Sequence, residues 1–133
     1  MPTVLFVCVH NAGRSVMAEA FFNQTTAGRA AGVSAGTIPQ DAPHPEVVEA
    51  MREVGIDVSN HRGRLLTDEL VRSAERVITM GCAVDADACP AVLYADVEDW
   101  DLDDPKGKDP RTVRRIRDEI RRAVDELVQR SPA

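Results

Sequence analysis

The chain has 133 residues, 22 acidic and 16 basic side chains, and a formal net charge of −6. This length suffices for one core, so we expect a single domain over residues 1–133. The negative charge argues against general binding to nucleic acid, and no stretch approaches the roughly 18 apolar residues of a membrane span. Because a predicted strand begins within three residues and no signal peptide pattern is evident, we expect a cytoplasmic protein.

Strands and helices are predicted to alternate along the chain. The apolar run over residues 4–7 indicates a strand buried on both faces. A helix with apolar positions at helical spacing follows Arg14; these positions are Val16, Met17, Ala20, Phe21 and Gln24. The later elements are strands over 32–37, 76–80 and 92–95, helices over 46–54 and 67–73, and a terminal helix over 109–129. The Arg and Glu residues between the apolar positions of the terminal helix are expected to form a solvated face. This alternation implies parallel strands, and we predict an α/β fold with a four-stranded parallel sheet in the order 2-1-3-4, flanked by helices.

The segment between the first strand and the first helix, residues 8–15, is the first candidate site. It lies where open α/β sheets bind ligands, and backbone N–H groups near a helix N-terminus attract anions. The helix dipole, the loop amides and Arg14 favour the thiolate of Cys8, which is the nucleophilic form. Arg14 can hold two oxygens of an oxyanion, and Ser15 could donate a hydrogen bond to the sulfur. We call this segment the oxyanion loop.

The oxyanion loop is expected to bind a tetrahedral anion mainly through its backbone. Asn11 and Gly13 tolerate the positive φ that a tightly curled loop demands. His10 is expected to face solvent rather than to act in catalysis. The candidate oxyanion-binding residues are Val9, His10, Asn11, Ala12, Gly13, Arg14 and Ser15. The alternative is a buried structural cysteine at a strand end.

An acidic segment before a proline, residues 100–105, follows the fourth predicted strand at the same edge of the sheet. A carboxylic acid there could protonate an oxygen that leaves as a thiol displaces it, and Pro105 would stiffen its approach. We favour Asp104 for this role, with Asp103 as the second candidate. The alternative is an acidic surface loop without a catalytic role.

Cys82 and Cys89 follow the third predicted strand, at the same edge as Cys8. In a helix their Cα atoms would be about 10.5 Å apart, whereas a disulfide needs roughly 4.4 to 6.8 Å, so a bond between them requires the segment to unwind. The six-residue spacing without a nearby histidine argues against a zinc site. One alternative is that Cys82 and Cys89 are small residues that only fill space. The presence of three cysteines at one edge of the sheet instead favours sequential thiol–disulfide exchange.

Taken together, these motifs resemble the thioredoxin-coupled arsenate reductases, which are built on the low-molecular-weight protein tyrosine phosphatase fold. The matching segments are Cys8-x5-Arg14-Ser15, residues 34–37, residues 55–61, Cys82-x6-Cys89-Pro90 and residues 103–105. The resemblance implies that Cys8 attacks arsenate while Asp104 protonates the departing oxygen. Cys82 would then attack the Cys8–arsenic adduct and release arsenite. Cys89 would displace Cys8 to leave a Cys82–Cys89 disulfide, which thioredoxin would reduce without any bound cofactor.

The resemblance also implies a supporting network behind the oxyanion loop, formed by Asn11, Ser34 and His61. Some family members bind potassium through an Asn, a Glu, a Ser and an Asp. Here Asn11, Glu19 and Ser34 match, but Arg64 stands at the fourth position. Because a guanidinium would repel the ion and could occupy its place, we expect no bound metal and no potassium dependence.

Three other functions compete with a thioredoxin-coupled arsenate reductase. A low-molecular-weight protein tyrosine phosphatase would need Cys8, Arg14 and Asp104, but neither Cys82 nor Cys89. A mycothiol-coupled arsenate reductase would manage with the first cysteine alone, and a phosphocysteine carrier or anion-binding module would need no acid. Weak phosphatase activity on aryl phosphates is expected for either enzyme class. The expected partners are arsenate and thioredoxin, without nucleic acid or membrane, and the expected state is a monomer.

Overall fold

A computed structural model describes residues 3–80 and 97–130 of the chain. Within them lie the strands β1 (Thr3–Cys8), β2 (Ala31–Gly36), β3 (Arg76–Thr79) and β4 (Val97–Asp99), and the helices α1 (Arg14–Thr26), α2 (Pro45–Arg52), α3 (Asp68–Ser73) and α4 (Pro110–Arg130). The strands pair in parallel in the order β2-β1-β3-β4. The predicted α/β fold and strand order are therefore confirmed. Among the described helices, none is long and apolar enough to cross a membrane.

The fourth described strand and the fourth predicted strand cover different residues. The described strand is β4, Val97–Asp99, whereas the predicted strand over 92–95 lies outside the described residues. Cys82 and Cys89 lie outside them as well. The described part of the sheet nevertheless brings the carboxyl ends of β1 and β4 to one edge, because their strands run parallel on either side of β3.

β1 is central and buried on both faces, as predicted. Its residues Val4, Phe6 and Cys8 pack into the larger core cluster, together with residues of α1, α2 and α4. Leu5 and Val7 pack into the smaller cluster, to which α3 contributes. Of the described helices, three therefore cover one face of the sheet and one covers the other. β1 ends in a buried position at its carboxyl end.

A local sequence signal sets the start of α3. Thr67 caps α3, since its Oγ1 accepts a hydrogen bond from the backbone N–H of Leu70 at 3.2 Å, as predicted. One position in the predicted α1 stripe is wrong, because Gln24 is exposed. Phe22 is buried instead, with its ring edge-on to the ring of Phe6 at a centroid distance of 5.7 Å.

Arg117 departs from the prediction that the charged residues of α4 form a solvated face. It is buried, and its Nη1 donates hydrogen bonds to the carbonyl of Ala50 at 2.9 Å and to Glu53 Oε1 at 3.0 Å. Arg114 donates two further hydrogen bonds, in a bidentate arrangement, to the same Glu53 carboxylate. The C-terminal end of α2 is thereby fixed to α4, which leaves its N-terminal end facing the oxyanion loop.

Candidate active site

The backbone of the oxyanion loop is held from outside by the segment 38–44. The carbonyl groups of Val9, His10 and Ala12 accept hydrogen bonds from backbone N–H groups of that segment at 2.8, 3.0 and 2.9 Å. The N–H groups of residues 9–13, in contrast, donate no hydrogen bond to any residue that the structure describes. Because these carbonyls already have hydrogen-bond partners while the N–H groups remain available, the loop is suited to bind an anion.

The tight curl of the oxyanion loop depends on Asn11, Gly13 and Gly36. Asn11 has a φ of 48°, in the left-handed region, as predicted. The corresponding prediction for Gly13 is wrong, since its φ is −137°. Gly13 allows a close approach, because a Cβ there would make tight contacts at 3.1 Å from Pro105 Cγ and 3.4 Å from His44 Cδ2. Gly36 is needed for close approach, because a Cβ at this position would lie 2.5 Å from the backbone carbonyl oxygen of Val9.

Cys8 is buried at the end of β1, with its sulfur 2.8 Å from Ser15 Oγ. Asn11 Nδ2 donates a hydrogen bond to the same Ser15 oxygen at 2.8 Å. A hydroxyl carries only one hydrogen, and with Asn11 as its donor Ser15 can direct that hydrogen at the sulfur. This arrangement places a hydrogen-bond donor beside the Cys8 sulfur, as the sequence suggested.

A chain of polar contacts runs from Ser15 to the second strand. His61 Nε2 lies 3.2 Å from Asn11 Oδ1, and His61 Nδ1 lies 3.6 Å from Glu19 Oε2. Glu19 Oε1 in turn accepts hydrogen bonds from Ser34, at 2.9 Å from its backbone N–H and at 3.2 Å from its hydroxyl. The structure thus brings Asn11, Ser34 and His61 together behind the loop. Their contacts orient the Asn11 amide so that its NH₂ group faces Ser15.

Arg14 joins the oxyanion loop to a segment after β4, residues 101–107, which we call the acid loop. The Nη1 of Arg14 donates a hydrogen bond to the carbonyl of Leu102 at 3.1 Å, and the Nη2 of Arg14 lies 4.0 Å from Asp104 Oδ2. Asp103 points elsewhere, since its Oδ2 is 3.0 Å from Arg115 Nη2 on α4. Of the two candidate acids, the geometry therefore favours Asp104.

The sequence model of the low molecular weight phosphotyrosine protein phosphatases matches residues 3–131. The chain belongs to this family. It is also 38% identical over 130 residues to an arsenate reductase of Staphylococcus aureus, with 96% of this chain and 97% of that protein covered. The expected membership of the arsenate reductase family is thereby confirmed.

Solved structures of this family show the same similarity. An arsenate reductase in its phosphate-binding state matches with a TM-score of 0.85 at 33% identity, covering 98% of both chains. A thioredoxin-dependent arsenate reductase of Corynebacterium glutamicum matches with a TM-score of 0.79 at 37% identity. That match covers 97% of this chain but 61% of the other, so this chain spans less than two thirds of that longer protein.

The residues that match the potassium site implied by the resemblance, Asn11, Glu19 and Ser34, already have hydrogen-bond partners in the structure. Arg64 is exposed, and its backbone N–H, rather than its guanidinium, contacts Asn11 Oδ1, at 2.9 Å. The oxygens of Asn11 and Glu19 that a cation would need already face N–H or O–H groups. The expected lack of potassium dependence remains a prediction, and these contacts support it.

His44 is the residue of the site that sequence reasoning missed. It is buried, its backbone N–H binds the carbonyl of Ala12, and its ring lies edge-on to the ring of His10 at 6.3 Å. His10 is consequently only partly exposed rather than solvent-facing. Burial lowers the pKa of His44, although the carboxylates of Glu46 and Asp104 act in the opposite direction. A histidine before a proline gave no local signal of this role, which depends on how segment 38–44 folds against the loop.

Proposed function

We propose that this protein is a cytoplasmic arsenate reductase that converts arsenate to arsenite, supports arsenic resistance and takes its electrons from thioredoxin. The observation that carries the proposal is the Cys8 sulfur beside the Ser15 hydroxyl, at 2.8 Å, at the base of a loop whose amides suit an anion. The similarity to arsenate reductases supports arsenate as the oxyanion. Cys82 and Cys89 in the sequence support reduction rather than hydrolysis.

In the first step, the Cys8 thiolate attacks arsenic while the loop amides and Arg14 hold the arsenate oxygens. A sulfur–arsenic bond forms, an arsenic–oxygen bond breaks, and Asp104 donates a proton so that the oxygen leaves as water. The arsenic is still pentavalent at this stage. The buried position of the sulfur supports this step, because low local polarity strengthens the attraction between the bound anion and Arg14.

In the second step, the Cys82 thiolate attacks the Cys8 sulfur of the adduct. A sulfur–sulfur bond forms, the sulfur–arsenic bond breaks, and its electron pair remains on arsenic, which leaves as arsenite. The thiolate of Cys89 then displaces Cys8 and forms a Cys82–Cys89 disulfide. Reduction of that disulfide by thioredoxin supplies the two electrons that each arsenate consumes. This step rests on the sequence, as both residues lie outside the described part of the chain.

The test is arsenate turnover with thioredoxin, thioredoxin reductase and NADPH, for the wild type and for Cys82→Ser and Cys89→Ser. We expect multiple turnovers of the wild type and at most one equivalent of arsenite from each variant. Cys8→Ser is the reference for complete loss, on the order of 10⁴-fold or more for a removed nucleophile. Wild-type turnover by both variants would refute the three-cysteine relay. A parallel assay with mycothiol and mycoredoxin identifies the electron donor.

A phosphatase is the second candidate, because Cys8, Arg14 and Asp104 would serve phosphate transfer equally well. One observation weighs against phosphotyrosine. Aromatic side chains usually line a phosphotyrosine slot, and Trp100 is a candidate for this role. Its ring instead packs against the core, with its centroid 5.9 Å from that of Phe6. We expect weak aryl phosphatase activity that Cys82→Ser and Cys89→Ser leave intact. A kcat/KM for phosphotyrosine that exceeds the value for arsenate would favour the phosphatase.

A further inference from the structure

We propose that Glu46 is a positioning residue that holds the acid loop over the oxyanion loop, so that Asp104 delivers its proton in the correct geometry. Its Oε2 accepts a hydrogen bond at 2.8 Å from the backbone N–H of Gly107, which lies 61 residues away in the chain. Glu46 stands in the first turn of α2, where the helix dipole favours a carboxylate. The inference rests on the proposed acid role of Asp104.

The segment 44–46 contacts both loops at once. On one side, the backbone N–H of His44 donates to the carbonyl of Ala12 in the oxyanion loop at 2.9 Å. On the other side, Glu46 holds Gly107 of the acid loop. The far end of α2 is fixed to α4 through Arg117 and the carbonyl of Ala50. The start of α2 is therefore a firm support against which the acid loop can be placed.

Within the acid loop, a short turn transmits this contact to the carboxylate. Asp104 Oδ1 accepts a hydrogen bond from the backbone N–H of Lys106 at 3.0 Å, and Gly107 follows with a φ of 71°. The other oxygen of Asp104 lies 4.0 Å from Arg14. With Glu46 removed, the Gly107 amide would turn to water and the turn would loosen. Asp104 would then spend less time at the leaving oxygen, whereas the oxyanion loop would still bind its anion.

The test compares Glu46→Ala with Glu46→Gln, whose amide oxygen can still accept from Gly107. Glu49→Ala is the matched control, because Glu49 is an exposed carboxylate on the same helix that pairs with Arg52. For Glu46→Ala we expect kcat to fall about three- to tenfold, the typical effect of one hydrogen bond, with KM changed by less than about twofold. Glu46→Gln should restore most of the rate, and Glu49→Ala should match the wild type.

Two readouts separate positioning from a merely structural effect. Glu46→Ala should slow an aryl phosphate with a poor leaving group more than one with a good leaving group, since only the former needs the acid. In an Asp104→Asn background, Glu46→Ala should cause no further loss. Additive losses, or a Glu46→Gln variant as slow as Glu46→Ala, would overturn the proposal.

A third measurement does not depend on catalysis. Amide hydrogen exchange at Gly107 should accelerate in Glu46→Ala and remain slow in Glu46→Gln and Glu49→Ala. Unchanged exchange in Glu46→Ala would also overturn the proposal. If the wild type fails to turn over arsenate, the proposed function fails, but the exchange and aryl phosphate measurements still decide the role of Glu46.

Discussion

The oxyanion loop and the acid loop meet at Arg14, yet they are built in opposite ways. In the oxyanion loop, Asn11 and Ser15 are fully buried, and the outer carbonyls bind segment 38–44. In the acid loop, the side chain of Asp104 is 46% exposed and that of Asp103 is 67% exposed. One loop is fixed by a buried polar network, whereas the two carboxylates of the other lie at the surface. The difference indicates that anion binding is built into the fold, whereas proton delivery depends on contacts that single substitutions can shift.

The energetics of the two loops follow from their burial. An exposed ion pair contributes about 0–1 kcal/mol, so the ion pairs of Asp103 and Asp104 add little to stability. Leaving a buried donor without its acceptor costs about 1–3 kcal/mol, so the Asn11 network resists change. Substitutions in the acid loop should therefore alter rate with little effect on stability, and those in the network should alter both.

The largest expected effect separates the two aspartates of the acid loop. Asp104→Asn keeps the size of the side chain but removes the proton, so kcat for arsenate should fall about 10²- to 10⁴-fold, the usual range for general acid catalysis. Asp103→Asn removes only an exposed pair with Arg115 and should leave kcat within about twofold. Steady-state kinetics of both variants decide the assignment. An equal loss in Asp103→Asn would show that the carboxylate facing Arg14 is not the acid.

A smaller effect is expected in the oxyanion loop. Ser15→Ala removes the hydroxyl that lies 2.8 Å from the Cys8 sulfur and leaves Asn11 Nδ2 without its acceptor. Alkylation of Cys8 at pH 7, followed by mass spectrometry of its peptide, should slow by up to about tenfold, and the free energy of unfolding should drop by about 1–3 kcal/mol.

The control for this variant is Ser59→Ala, which removes an exposed hydroxyl that contacts Asp57 and should change neither quantity. Loss of stability without slower alkylation would show that Ser15 supports the loop but does not stabilise the thiolate. The contrast with Asp104→Asn, which should leave stability unchanged, tests the difference between the two loops directly.

The sequence predicted those parts of the molecule that local patterns determine. The apolar run of β1, the Thr67 cap and the positive φ of Asn11 each follow from residues close in the chain, and the strand order follows from a general rule for α/β folds. The errors concern contacts between distant segments. Gly13 lies close to Pro105 of the acid loop, and Arg117 is buried by α2.

The site was predicted unevenly for the same reason. Cys8, Arg14 and Ser15 lie within eight residues, so their spacing alone suggested that they meet. The roles of His44 and Glu46 depend on how the start of α2 lies between two loops that are distant from each other in sequence. No periodicity or motif encodes that placement. It becomes visible only when both loops are seen together.

The smallest expected effect concerns His44, which lies where the two loops meet. Because burial lowers its pKa from the usual 6.5, the unfolded chain binds a proton more readily than the folded protein does. Stability should therefore fall as the pH drops below about 6.5, since protonation then favours the unfolded state. The free energy of unfolding, measured with urea, should decrease more between pH 7.5 and pH 5.5 for the wild type than for His44→Gln.

The groups that act on the His44 ring come from both loops and from α2: Asp104 and Lys106, His10, and Glu46. The carboxylates oppose the effect of burial, so the difference between wild type and His44→Gln should be modest, but its sign is determined. An equal pH dependence in both proteins would show that the carboxylates of Glu46 and Asp104 offset the effect of burial completely, which would contradict the expected sign.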